Sequence, residues 1–312
     1  MTFDDAIKEF LRSHIGVNTP GTIDHYIKRL KPLATFADKP LRDIAADDLR
    51  TTWIALVERK HRWGGGSDHP RDESRGLSPF TLDGYFRAWS AFFNWCVLQE
   101  YIGGNPMRKL RRPSLPNIEP KAIPTDDLNR LLAEIRLNKR DYAIVTFFCN
   151  TNCRVGGLTG IRLDDVELSE HRVWVTEKGR GGGKRRAVYL HGVALAALKD
   201  YLFNERRWGE CDSLFLAEKG RGITNDGVRM VLRRLAARLK LRRANPHSFR
   251  HWFARNWLNN GGDLVSLSKA MGHNDPQVTI RFYARWDDKE IRGKHEQFAR
   301  LPGEQGDAES RS

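Results

Sequence analysis

The sequence predicts a mainly α-helical protein of two domains, and three observations lead to this prediction. The chain has 312 residues, which is more than one average domain requires. Apolar residues recur at helical spacing through its first half. One stretch of the second half alternates instead, like two β-strands joined by a glycine-rich turn. We therefore expect a helical bundle at residues 1–105, a linker at 106–124, an α+β domain at 125–300 and a flexible tail at 301–312.

Four helices account for the first half. The apolar spacing places them near residues 3–11, 23–33, 49–57 and 79–101. The last carries the widest apolar stripe, formed by Leu82, Tyr85, Phe86, Trp89, Phe92, Phe93, Cys96 and Val97. Such a stripe is core far more often than a surface on which bases stack, so we expect a small four-helix domain. The glycine-rich and proline-containing residues 61–76 predict a mobile loop.

Prolines at 106, 113, 116 and 120 favour an extended chain in the predicted linker. Four basic residues stand among them: Arg108, Lys109, Arg111 and Arg112. They are either a solvated run of charge or a basic strap that contacts a DNA backbone.

The second half begins with Thr125, which we expect to be the N-cap of a helix. Residues 172–178 and 184–190 form the predicted hairpin, and residues 213–216 predict another short strand. A basic helix follows at residues 228–240. Because Arg229 and Arg233 lie on it, it is either a solvated face or a helix that lies along a DNA groove.

Composition favours a polyanionic partner. The formal net charge is +14 and the isoelectric point is near 9.8, both typical of proteins that bind nucleic acid. No apolar run reaches the ~18 residues of a membrane-spanning helix, and the N-terminus is acidic where a signal peptide is basic. We expect a soluble, cytoplasmic protein associated with the nucleoid and with double-stranded DNA. The four cysteines lack zinc or disulfide spacing and predict reduced thiols.

A small set of polar residues near the C-terminus carries the chemistry. His247 and Arg250 are three apart, so a helix presents both on one face. The planar arginine fork fits two phosphate oxygens at once. Tyr283 follows, and a tyrosine becomes a nucleophile only where cations or a base promote loss of its proton, because its ordinary pKa is about 10.

Further residues complete the set. Arg154 stands just after an apolar helix, at residues 142–149, and His273 follows Gly272. Lys178 and Lys184 flank the glycine-rich turn of the hairpin, and we also expect Lys184 to contact DNA. In this order, the residues of the second half suit the binding and cleavage of a phosphodiester.

This order of residues resembles that of the tyrosine recombinase (phage integrase) family, over roughly residues 123–300. The first half is similar, more loosely, to the family's helical, SAM-like core-binding domain. The resemblance implies a two-domain, Xer-like or integrase-like recombinase. The chain departs from the family pattern before Arg154, where Asn152 and Cys153 replace Gly-Leu, and after it, where Gly157 replaces an acidic residue.

The resemblance also implies the roles. Tyr283 attacks the scissile phosphorus and leaves a 3′-phosphotyrosyl bond, while Arg154 and Arg250 hold the non-bridging oxygens. His247 accepts a proton and His273 donates a hydrogen bond. Lys178, with Lys184 as the alternative, protonates the leaving oxygen. No cofactor is implied, and the family acts as a tetramer on DNA, passing a C-terminal helix, here residues 286–298, between subunits.

Three other interpretations remain. His247 and His251 have the spacing of a zinc-binding helix, but Ser248 occupies the place of the usual glutamate and Arg250 would repel a dication. The same cleavage also serves a type IB topoisomerase-like enzyme, which relaxes DNA without exchanging partners. A DNA-binding protein whose catalysis has lapsed is the third: the departure at Gly157 raises this interpretation, but the presence of all six family residues argues against it.

Overall fold

The computed structural model describes residues 1–58, 76–116, 121–177, 183–207, 211–272 and 275–283, with Arg292, His295 and Ala299. Its chain divides into two compact units, Met1–Ile118 and Glu119–Ser312. The predicted mobile loop, apart from Gly76, and the predicted tail lie outside the described residues. So does the C-terminal segment 286–298, apart from Arg292 and His295.

The first unit contains the four predicted helices. They are α1 (Phe3–Ser13), α2 (Pro20–Leu30), α3 (Ala46–Val57) and α4 (Pro79–Leu98). Thr2 caps α1 by accepting a hydrogen bond from the backbone N–H of Asp5, and Ser78 caps α4 in the same way through Thr81. The helical prediction for this half is confirmed.

The apolar stripe of α4 is core, as predicted. Trp89, Phe92 and Phe93 are fully buried, and Phe3 of α1 packs edge-to-face on Phe92 with ring centroids 5.3 Å apart. The indole N–H of Trp89 donates to the carbonyl of Arg29 at 2.9 Å, so the largest core side chain leaves no polar atom unsatisfied. This aromatic centre joins α1, α2 and α4.

The segment predicted as a linker contributes to both units. Residues Pro106–Lys109 form a 3₁₀ turn, and Met107 is buried in the first core. Ile123 is buried in the second core, and its N–H donates to the carbonyl of Ser248. Both ends of the segment are therefore anchored, each in its own unit.

The second unit is helical around a small sheet. Its helices are α5 (Thr125–Ile135), α6 (Lys139–Thr151), α7 (Val155–Thr159), α8 (Gly192–Asn204), α9 (Asn225–Arg238), α10 (Pro246–Asn259), α11 (Leu264–Ala270) and α12 (Pro276–Tyr283). Helix α6 is buried on most sides, where Ile144, Val145, Phe147 and Phe148 face the core. It packs against α5, α8 and α10.

The predicted hairpin is present. Strands β2 (Arg172–Glu177) and β3 (Lys184–Tyr189) pair antiparallel, with Val175 opposite Arg186 and Glu177 opposite Lys184. A two-residue strand, β1 (Val166–Glu167), extends the sheet beside β2 in the order β1-β2-β3. Val173 and Val175 point into the core, so the end of β2 is held against the neighbouring helices.

Two local predictions are wrong. Thr125 is the first residue of α5 rather than its N-cap, and its hydroxyl accepts a hydrogen bond from the indole of Trp252. Residues 213–216 make only isolated bridges at Ser213 and Leu216. Buried Arg206 donates to the carbonyls of residues 207, 211, 213 and 214, so its guanidinium satisfies carbonyls that a strand partner would otherwise bind. Among the described residues, no helix is long and apolar enough to cross a membrane.

Candidate active site

Arg154 is positioned by a tight turn between α6 and α7. Helix α6 ends at Thr151, and its C-cap, Asn152, has a φ of 58°, a left-handed conformation that asparagine tolerates better than most residues. This explains why asparagine replaces the expected glycine there. Arg154 then serves as the N-cap position of α7, and its side chain is 38% exposed. The guanidinium thus stands at the edge of the site, accessible to a ligand.

Arg250 lies deeper. Asn245 caps α10, and Phe249, stacked on Phe148 of α6, fixes the helix against the core. Arg250 is 5% exposed, and its guanidinium donates to the carbonyls of Asn152 at 2.6 Å and Met271 at 2.7 Å. Burial, and then the charge of Arg154, lower the pKa of Arg250 to about 10. The positive charge of Arg250 is therefore held in a fixed position, deeper in the protein than the more exposed charge of Arg154.

Tyr283 ends α12 and is 8% exposed. It packs with Leu258 of α10, with Leu267 of α11 and with Met271, which follows α11. Its hydroxyl is hydrogen-bonded to Nδ1 of His251. Burial raises the pKa of the Tyr283 phenol to about 12, although the nearby charge of Arg250 opposes the shift. The group is therefore a neutral phenol at neutral pH and needs a proton acceptor to become a nucleophile.

His247 and His251 lie one turn apart on α10. Burial, followed by the charges of Arg250 and Arg154, lowers the pKa of His247. Burial, followed by His247 and Arg250, lowers the pKa of His251 to about 4. Both imidazoles are neutral at neutral pH, so both are able to accept a proton. The described contacts join the phenol to His251, to which the sequence analysis gave no role.

Glu177 is a second residue that the sequence analysis did not identify. Its carboxylate, at the end of β2, accepts a hydrogen bond from the backbone N–H of Arg154 at 3.0 Å and one from the guanidinium of Arg154. It also accepts one from Arg186 of β3 at 3.2 Å. Burial raises the pKa of Glu177, but Arg186 and Arg154 outweigh burial and hold that pKa below its ordinary value. An ionised carboxylate therefore lies among the arginines.

Arg154, His247, Arg250 and Tyr283 are thus brought together in one unit. Lys178 and His273 lie outside the described residues, immediately after Glu177 and Gly272 respectively. Lys184 is exposed and stands directly opposite Glu177 in the hairpin, on the same face of the sheet. The choice between Lys178 and Lys184 therefore stays a prediction.

The residues predicted to contact DNA differ in their surroundings. Arg108, Lys109 and Arg111 are exposed, whereas Arg112 binds the buried carboxylate of Asp83 at 2.7 Å. Arg229 and Arg233 are exposed on α9. Arg229 also pairs with exposed Asp226 at 2.8 Å, and its charge is close enough to contribute to the lowered pKa of His247. Arg229 therefore acts electrostatically on a residue of the site.

In the part of the chain that the structure describes, no group of three or more His, Cys, Asp or Glu side chains is arranged to hold a metal ion. All four cysteines are free thiols, as predicted, and burial raises the pKa of Cys153 to about 12. His251, the second histidine of the zinc-like spacing, is bonded to Tyr283.

Comparison with known proteins agrees with this arrangement. Residues 121–290 match the model of the Phage integrase family. The tyrosine recombinase XerC of Neisseria gonorrhoeae is 30% identical over 223 residues, which cover 70% of this chain and 72% of that protein. The tyrosine recombinase XerC of Escherichia coli O127:H6 is 30% identical over 215 residues, which cover 67% of this chain and 71% of that protein.

Solved structures share the fold. The integrase of the Tn1549 transposon, bound to a circular intermediate DNA, superposes with a TM-score of 0.73 at 18% identity and covers 95% of this chain and 99% of its own. A lambda integrase dimer bound to a core site superposes with a TM-score of 0.69 at 15% identity. The match covers 93% of this chain and 100% of the lambda integrase chain. The match to the family model and to both recombinases rests on more than half of the sequence. The chain therefore belongs to the phage integrase family of tyrosine-type site-specific recombinases.

Proposed function

We propose that this recombinase cuts and rejoins DNA strands through a 3′-phosphotyrosyl intermediate formed by Tyr283. The observation that carries the proposal is the contact between the Tyr283 hydroxyl and His251, on the helix that also bears Arg250. The phenol has a neutral imidazole as proton acceptor and a fixed guanidinium nearby. Attack of the phenol oxygen on phosphorus breaks the bond to the 5′-bridging oxygen and releases a 5′-hydroxyl.

The arginines stabilise the transition state in this proposal. Arg154, at the exposed edge, and Arg250, behind it, carry two positive charges toward the non-bridging oxygens, on which negative charge increases during attack. Donors fixed before the reaction contribute most, because they need no reorganisation as the charge develops. The hydrogen bonds of Arg250 to two backbone carbonyls support such a fixed position.

Protons move at both ends of the reacting bond. At rest the phenol keeps its proton and donates it in a hydrogen bond to His251, and His247, one turn away, is the acceptor implied by the family resemblance. We propose Lys178 as the acid that protonates the leaving oxygen, and His273 as a further donor to the phosphate. The energy of the phosphodiester is retained in the phosphotyrosyl bond, so a second 5′-hydroxyl reverses the step and the proposed exchange uses no cofactor.

A single substitution tests this function. Tyr283→Phe removes only the hydroxyl, so folding and DNA binding should remain while the covalent complex with site DNA disappears. Denaturing electrophoresis after incubation measures the complex directly. A covalent band that persists in the Phe variant would exclude Tyr283, and Tyr189, which is exposed, and Tyr201 would then be examined.

We propose double-stranded DNA in the cytoplasm, within the nucleoid, as the substrate, and a tetramer on DNA as the active assembly. The lambda integrase relatives include a dimer bound to a core site and a tetramer bound to a Holliday junction. Residues 286–298 have the amphipathic pattern of a helix with an apolar face to bury, and we assign that face to a neighbouring protomer.

Truncation after Asp288 should leave a protein that binds one half-site but does not form the four-protomer complex. Sedimentation on DNA measures the assembly, and normal assembly of the truncated protein would refute this part of the proposal. An assay of strand exchange between two duplexes separates a recombinase from a topoisomerase-like enzyme, which relaxes one duplex only. The lapsed-catalysis interpretation depended on Gly157, but Glu177 supplies a carboxylate to Arg154.

A further inference from the structure

We infer that Glu177 is a positioning residue for the phosphate-binding arginine Arg154, supplying from the hairpin the carboxylate that Gly157 does not carry. The inference rests on the proposed function, since it assigns Arg154 to the scissile phosphate. It concerns how this chain holds that arginine in place.

The contacts of Glu177 are those of a built support. Its side chain is 4% exposed, and both carboxylate oxygens are used. One accepts from the backbone N–H of Arg154 and from Arg186, and the other accepts from the Arg154 guanidinium. Holding the main chain and the side chain of Arg154 together leaves that arginine few alternative rotamers. A side chain fixed before substrate arrives loses less entropy when it binds.

Gly157 shows that the support comes from β2 instead of α7. A Cβ added at Gly157 would lie 2.8 Å from the sulfur of Cys153 and 3.2 Å from Cγ of Glu177. The space beside Arg154, where a side chain of α7 would project, is therefore already filled by Glu177. The two arrangements exclude each other sterically, because any side chain at 157 has to displace Glu177 or Cys153.

Electrostatics require a carboxylate at this position. The charges of Arg154, Arg186 and Arg250 all act on Glu177, and its negative charge offsets the repulsion among these arginines. Arg186 extends the support further, because its guanidinium donates to the carbonyl of Ala270 at 2.9 Å, in the turn that precedes His273. Glu177 thus connects the Arg154 turn, the hairpin and the end of α11.

The first test uses the isosteric variant Glu177→Gln, which keeps shape and removes charge. With DNA in excess, the first-order rate of covalent complex formation should fall about 10- to 100-fold, the range typical of removing a residue that orients a functional side chain, while DNA affinity stays within a few-fold. Urea unfolding of the same samples reports whether the fold survives. A wild-type rate for Glu177→Gln would overturn the inference.

A second substrate identifies the arginine through which Glu177 acts. Replacing a non-bridging oxygen at the cleavage site by a methyl group gives a neutral methylphosphonate, which needs less positive charge from Arg154. The defects of Glu177→Gln and Arg154→Ala should therefore both shrink on this DNA, relative to wild type. An equal defect on both substrates would mean that Glu177 only maintains the fold, and the inference would fail.

The third test moves the carboxylate. In a Glu177→Ala, Cys153→Ala background both obstructing groups are removed, so Gly157→Glu should raise the cleavage rate of that background at least about tenfold by supplying a charge beside Arg154. Gly157→Gln in the same background is the matched control and should not raise it. Equal rates for the two variants would refute the inference even if Glu177→Gln failed to fold. If none of these effects appears but Tyr283→Phe still forms no covalent complex, the inference about Glu177 fails and the proposed function is unaffected.

Discussion

The hydroxyl of Tyr283 and Nδ1 of His251 are hydrogen-bonded partners, which joins the helix that ends at the nucleophile to the helix that carries Arg250. The lowered pKa of His251, about 4, and the raised pKa of Tyr283, about 12, assign the shared proton to the phenol. The imidazole nitrogen therefore accepts, and the phenol donates.

Removing this acceptor should slow cleavage. His251→Ala is expected to lower the rate of covalent complex formation about 10- to 100-fold with little change in DNA affinity, because the phenol loses both its orientation and its acceptor. His251→Asn places an amide near the position of Nδ1 and should retain more activity. Single-turnover kinetics at saturating DNA separates rate from binding. Equal rates for His251→Ala and wild type would assign the proton to another acceptor, with His247 the next candidate.

The low pKa of His251 also predicts how stability depends on pH. Its folded-state pKa is about 4, below the ordinary value of 6.5, so the unfolded chain binds this proton first as the pH falls. The stability that neutral His251 contributes above pH 6.5 should thus be lost progressively between pH 6.5 and 4. Between pH 7 and pH 5, the urea midpoint should fall further for wild type than for His251→Asn. Parallel decreases in the two proteins would contradict the shift.

Lys178 is expected to protonate the leaving oxygen. An alkoxide needs a proton as the P–O bond breaks, whereas a thiolate leaves unaided because its proton affinity is far lower. Lys178→Ala should therefore cleave ordinary DNA poorly but recover on DNA with sulfur at the 5′-bridging position, and Arg154→Ala should not recover. Rescue of Lys184→Ala instead, with normal cleavage by Lys178→Ala, would assign the acid to β3, where Lys184 faces the same side as Glu177.

Position 152 should accept glycine in place of Asn152 without loss of stability, whereas a β-branched residue there should destabilise the fold. Its φ is 58°, and its buried side-chain amide has no hydrogen-bond partner in the described part of the chain. Asn152→Gly is therefore expected to leave the free energy of unfolding unchanged or to raise it by up to about 1 kcal/mol. Asn152→Val should lower it by about 2 kcal/mol, since left-handed backbone strains such residues. Urea titration measures both, and a stable Val variant would contradict the strain.

The basic residues after α4 should divide into two groups. Changing the exposed Arg108, Lys109 and Arg111 to Gln should reduce the slope of log affinity against log salt by up to about 2.7, because each phosphate that is no longer neutralised lowers that slope by ~0.9. Arg112→Gln should instead destabilise the first unit, because it removes a partner of buried Asp83, whose pKa the Arg112 hydrogen bond lowers. DNA-binding titrations at several salt concentrations test the first effect, and an unchanged slope would mean that the three residues are only solvated.

Local pattern was enough to predict most of the fold. Helical spacing identified the four helices of the first unit, and alternation identified β2 and β3. The order of Arg154, His247, Arg250 and Tyr283 also indicated a site that the structure assembles. The helix and strand signals each lie within a short stretch of sequence, where backbone geometry relates spacing directly to a shared face, whereas the order of the site residues was interpreted through the family resemblance.

The missed residues depend on contacts between distant segments. Glu177 continues the buried alternation of Val173 and Val175, and a carboxylate at such a position signals a buried cation, but only the folded chain shows that the cation is Arg154. His251 has a role because Tyr283, at the end of α12, contacts it on α10, which no local pattern predicts. Residues 213–216 have the composition of a strand, but Arg206 takes the place of a partner strand.

Arg206 supplies from one side chain the hydrogen-bond donors that a β-sheet takes from the backbone N–H groups of many residues. Along a strand, each backbone hydrogen bond has its own donor, so an edge frays one bond at a time. Here four carbonyls accept hydrogen bonds from one side chain, which is 4% exposed. These four carbonyls therefore depend on the position of a single guanidinium. Displacing Arg206 would remove a donor from four carbonyls at once, whereas the N–H of Leu214 would keep its own acceptor, the carbonyl of Ile161.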